Sequence, residues 1–350
     1  MIKYIFNKLL YAQLVLLGVI TVIFFLFNIM PADPAKMMLG DRDDQTQIDL
    51  INEKYYFDQP LHKQYFFYLN DLSPVSIHLD HPKYQKYITI FSTENLYIIL
   101  KYPYLRTSFY QKDQSISSLI INTLPNTFIL AFSAICLALF LAIPLGVISA
   151  YYKDYFIDRL ISLFSILGMS LPSFLAAILM SYFFAFKLGW LTHLNITGSL
   201  YVVDDFGDGE ILMLKNLLLP AITLGIRPLA VIIHLTRNAL IDELSSDYIL
   251  LAQSKGYGML YVVVFHALRN SMTSVVTASS GWFAGMLSGA VFIEYIFGWN
   301  GLGKLLVDAL INVDFPLVMG IILIIASCFI IINILVDLIY IWLDPRVVID

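Results

Sequence analysis

Residues 298–304, Gly-Trp-Asn-Gly-Leu-Gly-Lys, carry the glycine and lysine spacing of a loop that wraps a nucleotide's phosphates. That chemistry needs a Ser or Thr hydroxyl directly after the lysine to hold Mg²⁺, and Leu305 stands there instead. No strand-like stretch precedes the loop, so the chain is not expected to bind nucleotide by itself. The histidines offer no alternative chemistry. There is no HExxH pair, and His193, His234 and His266 are dispersed, so no metal site is expected. Cys136 and Cys328 both lie in apolar runs, which argues against a disulfide or a thiolate site. No catalytic set and no cofactor follow from these residues.

The remaining polar groups of interest sit in apolar surroundings. Arg227 is the costliest, since an arginine at the centre of a membrane helix costs about 2.5–3.5 kcal/mol on insertion scales. It could meet a substrate carboxylate in a pathway, form a structural pair, or lie near the interface; the residues alone leave these open. Ser170 and Pro172 fall where an apolar run is interrupted, and are candidates for the same pathway. Asp337 lies four residues after Asn333 on one helical face, a pattern that favours a structural bond or snorkelling. Gly281, Gly285 and Gly289 form a tandem GxxxG, expected to let helix backbones approach closely in lipid.

Composition explains why these groups are exceptional. The chain has 350 residues, 59% apolar and 13% charged, with a mean hydropathy of +0.76. Soluble domains average roughly 45–50% apolar and 25% charged, so an integral membrane protein is expected. A net charge of −5 gives no reason to expect nucleic acid. Apolar runs occupy residues 9–30, 124–150, 160–186, 217–240, 271–293 and 315–336, the last continuing through Asp337 to 343. Each approaches the roughly 20 residues a helix needs to cross a bilayer. The first is too long for the apolar region of a cleaved signal peptide, typically about 7–15 residues. Arg227-Pro228 interrupts the fourth run, and Pro125, Pro144 and Pro172 interrupt the second and third, so kinks are expected there.

Residues 31–118 are polar and rich in Asp, Lys and Tyr, and hold no run long enough to cross. Residues 45–54 and 61–72 mix apolar and charged residues as helices do, and 81–104 alternates Tyr and Ile with polar residues as in short strands or a hairpin. The expected architecture is therefore all-α and membrane-embedded, with six transmembrane helices. Residues 1–30 hold the first helix, 31–118 a small extracytoplasmic domain of α or α+β fold, and 119–350 a five-helix core. Lys3, Lys8, Lys153, Arg159, Arg237, Lys255, Arg269 and Arg346 fall on one side, against Lys187, Lys215 and Lys304 in short loops on the other. The basic excess places both termini in the cytosol. It places the polar stretch around 241–270 there too.

That stretch carries the strongest resemblance. Asp247-Tyr248-Ile249, then Ala252-Gln-Ser-Lys255-Gly256, then His266-Ala-Leu-Arg269-Asn270, resembles the cytosolic loop of permease subunits in bacterial binding-protein-dependent ABC importers, specifically the first-type subunit of the oligopeptide/dipeptide branch. Ordered matches extend over most of the chain: Pro31-Ala-Asp33-Pro34, Phe57-Asp-Gln-Pro60-Leu, Leu124-Pro125-Asn-Thr127, Ile143-Pro144-Leu-Gly146, Ser170-Leu-Pro172, Leu219-Pro220, Glu294 with Gly301-Leu-Gly303, Asp314-Phe-Pro316 and Asp344-Pro345-Arg346. Asn300 departs from the family's proline before Gly-Leu-Gly, residues 258–265 are more apolar than is usual, and 73–103 looks inserted.

The resemblance implies a half-channel that pairs with a second permease subunit and two cytosolic ATP-binding cassette subunits, and takes cargo from an extracytoplasmic binding protein. It further implies that Asp247, Tyr248, Ala252, Lys255, Gly256, His266 and Arg269 couple the channel to its ATPases. An ion-coupled secondary carrier using Arg227 and Asp337 would leave this loop unexplained, and a non-transporting membrane scaffold or receptor would not need Arg227 within a span.

Overall fold

The computed structural model describes residues 2–28, 45–46, 48–49, 52, 56–78, 86–93, 96–111, 114–203 and 209–343. The motif residues 31–34 and 344–346, and much of the 45–54 segment, lie outside these. The chain forms two compact units. One contains residues up to Leu9, Thr123–Leu305 and Ser327 onward; the other contains Leu10–Asn122 and Leu306–Ala326.

Long apolar helices dominate, because a backbone in lipid must satisfy its own hydrogen bonds. They are α1 (Ile2–Asn28), α3 (Ile116–Tyr151), α6 (Lys215–Leu244), α8 (Leu268–Gly289) and α11 (Phe315–Leu343). A further span is made of two pieces, α4 (Phe156–Ser170) and α5 (Ser173–Met180), the latter continuing through a π-turn at Ser181–Lys187. Among the described residues this gives five helices able to cross a membrane, or six when the bent pair counts as one.

Pro172 alone among the expected kink sites breaks its helix. Leu171 before it is extended, as a residue preceding proline prefers, and the two halves meet at 109°. Pro125 and Pro144 lie inside a continuous α3, and Pro220 and Pro228 inside a continuous α6. The expected interruption at Arg227-Pro228 is therefore absent.

In the first unit, α3 and α6 are the core pair. Leu130, Ala134 and Ala142 pack with Leu224, Ile232 and Ile233, joined by Ala284 and Leu287 of α8 and by Trp299. The close backbone approaches here use glycines other than those expected. A Cβ on Gly146 would lie 2.6 Å from Thr236 Cβ, and one on Gly225 would lie 3.0 Å from the Ala134 carbonyl oxygen. At Gly281 and Gly285 a Cβ would meet nothing within 4 Å. Among the described residues no close contact is made at those two glycines; Gly289 closes α8.

In the second unit, α2 (Leu61–Leu72) lies on α1. Phe24 is buried between Tyr65 and Tyr68, with ring centroids 5.2 and 5.6 Å away, and the Thr21 and Tyr65 hydroxyls are 2.7 Å apart. Strands β1 (Val75–His78), β2 (Tyr87–Thr93) and β3 (Leu96–Lys101) form an antiparallel sheet in the order β1-β3-β2. The described part of the 81–104 alternation thus forms two antiparallel strands, β2 and β3, and the helix expected at 61–72 forms with those bounds. Asp314 caps the start of α11 and accepts the Ser108 hydroxyl and the Phe109 and Tyr110 amides.

Candidate functional site: the loop between α6 and α8 and its base

At the end of α6 the chain turns through Ser245 and Ser246. The Ser246 hydroxyl donates to the Glu243 carbonyl at 2.6 Å, and its extended backbone opens a short helix, α7 (Asp247–Ser254). Asp247 stands in the first turn, where a carboxylate favours the helix dipole. After Lys255 the chain reverses at Gly256, whose φ of +85° is a conformation that side-chain-bearing residues rarely adopt. Helical structure resumes at Met259–Tyr261, passes through a π-turn at Val262–Ala267 and runs into α8. The apolar stretch 259–265 is therefore the beginning of the next membrane helix. This is why it lacks the charges expected of a free loop.

Two faces of α7 have different fates. Ile249 and Ala252 are buried against Ala150 of α3, Leu240 of α6 and Val262, Val263 and Ala267. Leu250 and Leu251 are more than half exposed. Beside them Tyr257, Tyr261 and Phe265 form an exposed aromatic ladder with centroids 5.1 and 4.7 Å apart. A two-turn helix with this sequence has no stability of its own. It holds its place because Ile249 and Ala252 are seated in the base.

The expected coupling residues divide accordingly. Ala252 is a packing residue. Asp247, Lys255, Gly256 and Arg269 are exposed. Tyr248 is a brace: its hydroxyl donates to the Glu243 carboxylate and accepts from Asn270 Nδ2 at 3.0 Å, tying the end of α6 to the start of α8. Burial first, then the Glu243 carboxylate, raises its phenol pKa. The His266 ring lies about 6 Å from Tyr257 and Tyr261, with a buried Nε2 that meets no partner among the described residues.

Beneath this loop, sequence reasoning missed a polar lock. Asp158 at the start of α4 is 3% exposed. It accepts from Arg237 of α6, from Ser149 of α3 and from the Asp154 amide. Nothing in the spacing of Ser149, Asp158 and Arg237 shows that they meet.

The pathway candidates stand apart from this cluster. Ser170 donates back to the Ile166 carbonyl at 2.8 Å, and Pro172 precedes α5. Arg227 is exposed and makes no hydrogen bond or ion pair among the described residues. A Cβ on Gly168 would lie 3.2 Å from Ile226, so the α4–α5 break lies near the level of Arg227. Asp337 forms an ion pair with Lys8, the structural bond its position favours.

The phosphate-loop lookalike is occupied by the protein itself. Glu294, fully buried on α9 (Val291–Phe297), accepts the Gly303 amide at 2.6 Å and the Lys304 amide at 3.3 Å, at the start of α10 (Leu302–Ile311). A carboxylate thus holds the helix-start amides that a phosphate would require. Cβ atoms at Gly301 or Gly303 would collide with it, which accounts for both glycines. No group of three metal-ligating side chains occurs among the described residues.

Residues 142–349 match the family described as "Binding-protein-dependent transport system inner membrane component", and residues 1–131 match the corresponding N-terminal membrane-component family. The chain is 31% identical to the probable D,D-dipeptide transport system permease protein DdpB of Escherichia coli, covering 95% of this chain and 94% of that one. It is 32% identical to a putative peptide permease protein of Brucella suis, with 99% of both chains covered. It is 29% identical to the dipeptide transport system permease protein DppB of Alkalihalophilus pseudofirmus, again over 99% of both. Among solved structures, an inward-facing MetNI methionine ABC transporter chain aligns with a TM-score of 0.53 at 14% identity. That alignment covers 65% of this chain and 98% of the other, a likeness of fold.

Proposed function

Since this chain belongs to the family of binding-protein-dependent transport system inner membrane components, we propose that it forms one half of the channel of an ATP-driven peptide importer. As a permease of this family it is a multi-pass membrane protein and not an enzyme; ATP hydrolysis resides in partner subunits. In the proposed assembly it pairs with a second permease subunit, docks two ATP-binding cassette subunits in the cytosol and receives cargo from an extracytoplasmic binding protein. Both termini then lie in the cytosol, 31–118 contributes outside, and 119–350 supplies the channel core. Peptide cargo is supported by the names of the full-length relatives, which are peptide and dipeptide permeases.

The observation that carries the reading is α7. One face, Ile249 and Ala252, is fixed to the bases of α3, α6 and α8, while Leu250 and Leu251 on the other face, and the aromatic ladder that follows α7, are exposed among the described residues. A push on α7 therefore reaches three membrane helices at once. ATP binding and hydrolysis in the partners bias the helices between two states through this contact. Arg227 and the break at Ser170-Pro172 lie on the proposed pathway, where Arg227 meets the cargo's carboxylate.

Gly256→Asp tests the coupling. The added Cβ meets nothing within 4 Å, so the core stays intact, while a side chain in the left-handed region costs about 1–2 kcal/mol. The variant is expected to insert normally and to lose uptake together with stimulated ATP hydrolysis. Uptake at the normal rate would refute the assignment.

A further inference from the structure

The three-stranded sheet has its polarity reversed. The register puts Val75, Ile77, Ile88, Phe91, Ile98 and Leu100 on one face, and Ile77, Ile88 and Phe91 there are 57%, 67% and 53% exposed. The opposite face carries Ser76, His78, Thr89, Ser92 and Lys101 together with Tyr87, Tyr97 and a single aliphatic residue, Ile99. It is this polar face that turns inward at Ser76 and Lys101, both nearly inaccessible, with Ile99 between them. A soluble antiparallel sheet normally does the opposite, apolar in and polar out. Apolar-out and polar-in is the pattern of strands that meet lipid.

Position agrees with polarity. Asn70 of α2 holds β1 through both the amide and the carbonyl of Ile77, at 2.9 and 3.0 Å, and Lys101 Nζ donates to the Asp71 carbonyl at 2.7 Å. Helix α2 in turn packs through Tyr65 and Tyr68 on Phe24 and Phe25, in the last turns of the apolar run Phe6–Phe27. Tyrosines at the end of a span are residues of the membrane–water interface. The sheet is thus bonded to a helix that sits at that boundary.

We infer that the aliphatic face of this sheet is a lipid-contact surface, resting on the bilayer beside α1. The occupant is phospholipid because the face is aliphatic apart from Phe91 and, at its end, Thr93. Protein interfaces instead concentrate their binding energy in Trp, Tyr and Arg. Strands β1 to β3 are on this reading a membrane-resting flap bonded to α2.

The test uses the full chain with Cys136→Ala and Cys328→Ala, reconstituted in phosphatidylcholine–phosphatidylglycerol vesicles. An environment-sensitive fluorophore is attached at Ile88→Cys, at Phe91→Cys or, on the opposite face, at Ser92→Cys. Lipid carrying a nitroxide near its headgroup should quench positions 88 and 91 at least about twofold more than position 92, with aqueous iodide showing the reverse order. Equal iodide quenching at all three positions overturns the inference. So does shielding of 88 and 91 without lipid quenching, which would assign the face to a second copy or a soluble protein. Two labelled positions on the apolar face guard against failure of either variant to fold.

Discussion

Arg237 grips Asp158 with two parallel bonds, Nε to Oδ1 and Nη2 to Oδ2, each at 2.7 Å. The same carboxylate takes the Ser149 hydroxyl at 2.5 Å and the Asp154 amide at 2.9 Å. Three helices, α3, α4 and α6, therefore meet at one buried anion below α7. Fork-to-fork geometry of this kind is specific to arginine.

Asp158→Asn removes the charge while keeping the shape, and leaves Arg237 facing a neutral amide. The expected loss is about 2–4 kcal/mol, seen as a lowered melting temperature of the purified protein. Arg237→Lys should fall between this variant and wild type, since it keeps the charge and loses the fork. Unchanged stability in Asp158→Asn would show that the lock contributes nothing to the fold.

Glu294 gives a pH dependence with a definite sign. Burial pushes its carboxyl up to about 7, against the Thr127 hydroxyl and the Gly303 and Lys304 amides, which favour the anion. The folded pKa lies above the ordinary value of 4.5, so the folded state binds the proton more tightly. This group's stabilisation is full below about pH 4.5 and is lost as the pH rises through about 7. Glu294→Gln should therefore flatten the decline in melting temperature between about pH 5 and pH 8. An identical pH slope in variant and wild type would contradict this.

The glycines make a paired prediction. Gly146→Ala sets a methyl 2.6 Å from Thr236 Cβ and 3.0 Å from the Ile233 carbonyl oxygen, an overpacking that costs about 1–3 kcal/mol. Gly281→Ala meets nothing and should stabilise the isolated chain by about 0.5–1 kcal/mol through helix propensity. Melting temperatures of the two purified variants check the order. Equal destabilisation would mean that α8 is covered within the chain after all.

What was readable from the sequence follows the physics of each signal. Hydropathy marks the membrane helices because a bilayer demands long uninterrupted runs. It cannot say that Pro172 breaks its helix while Pro125, Pro144, Pro220 and Pro228 do not, since that depends on what packs around each proline. The loop around Gly256 was legible because its motif is contiguous in sequence and basic residues mark its side of the membrane. Asp158 was not, because its partners lie 9 and 79 residues away on other helices. Glu294 left a faint trace, a lone acid in an apolar stretch with Gly301 and Gly303 following it. The GxxxG spacing was real, but spacing alone does not say which chain covers the face.

The central claim is that the exposed side of α7 is the surface that meets the ATP-binding subunits. A photo-crosslinking residue at Leu251, with one at Trp190 as the control, tests this directly in membranes containing the whole transporter; the two side chains are 58% and 74% exposed. The account predicts an adduct with an ATP-binding subunit from position 251, varying with nucleotide, and none from position 190. Absence of that adduct from 251, with ATP-binding subunits captured from 190 instead, would contradict it.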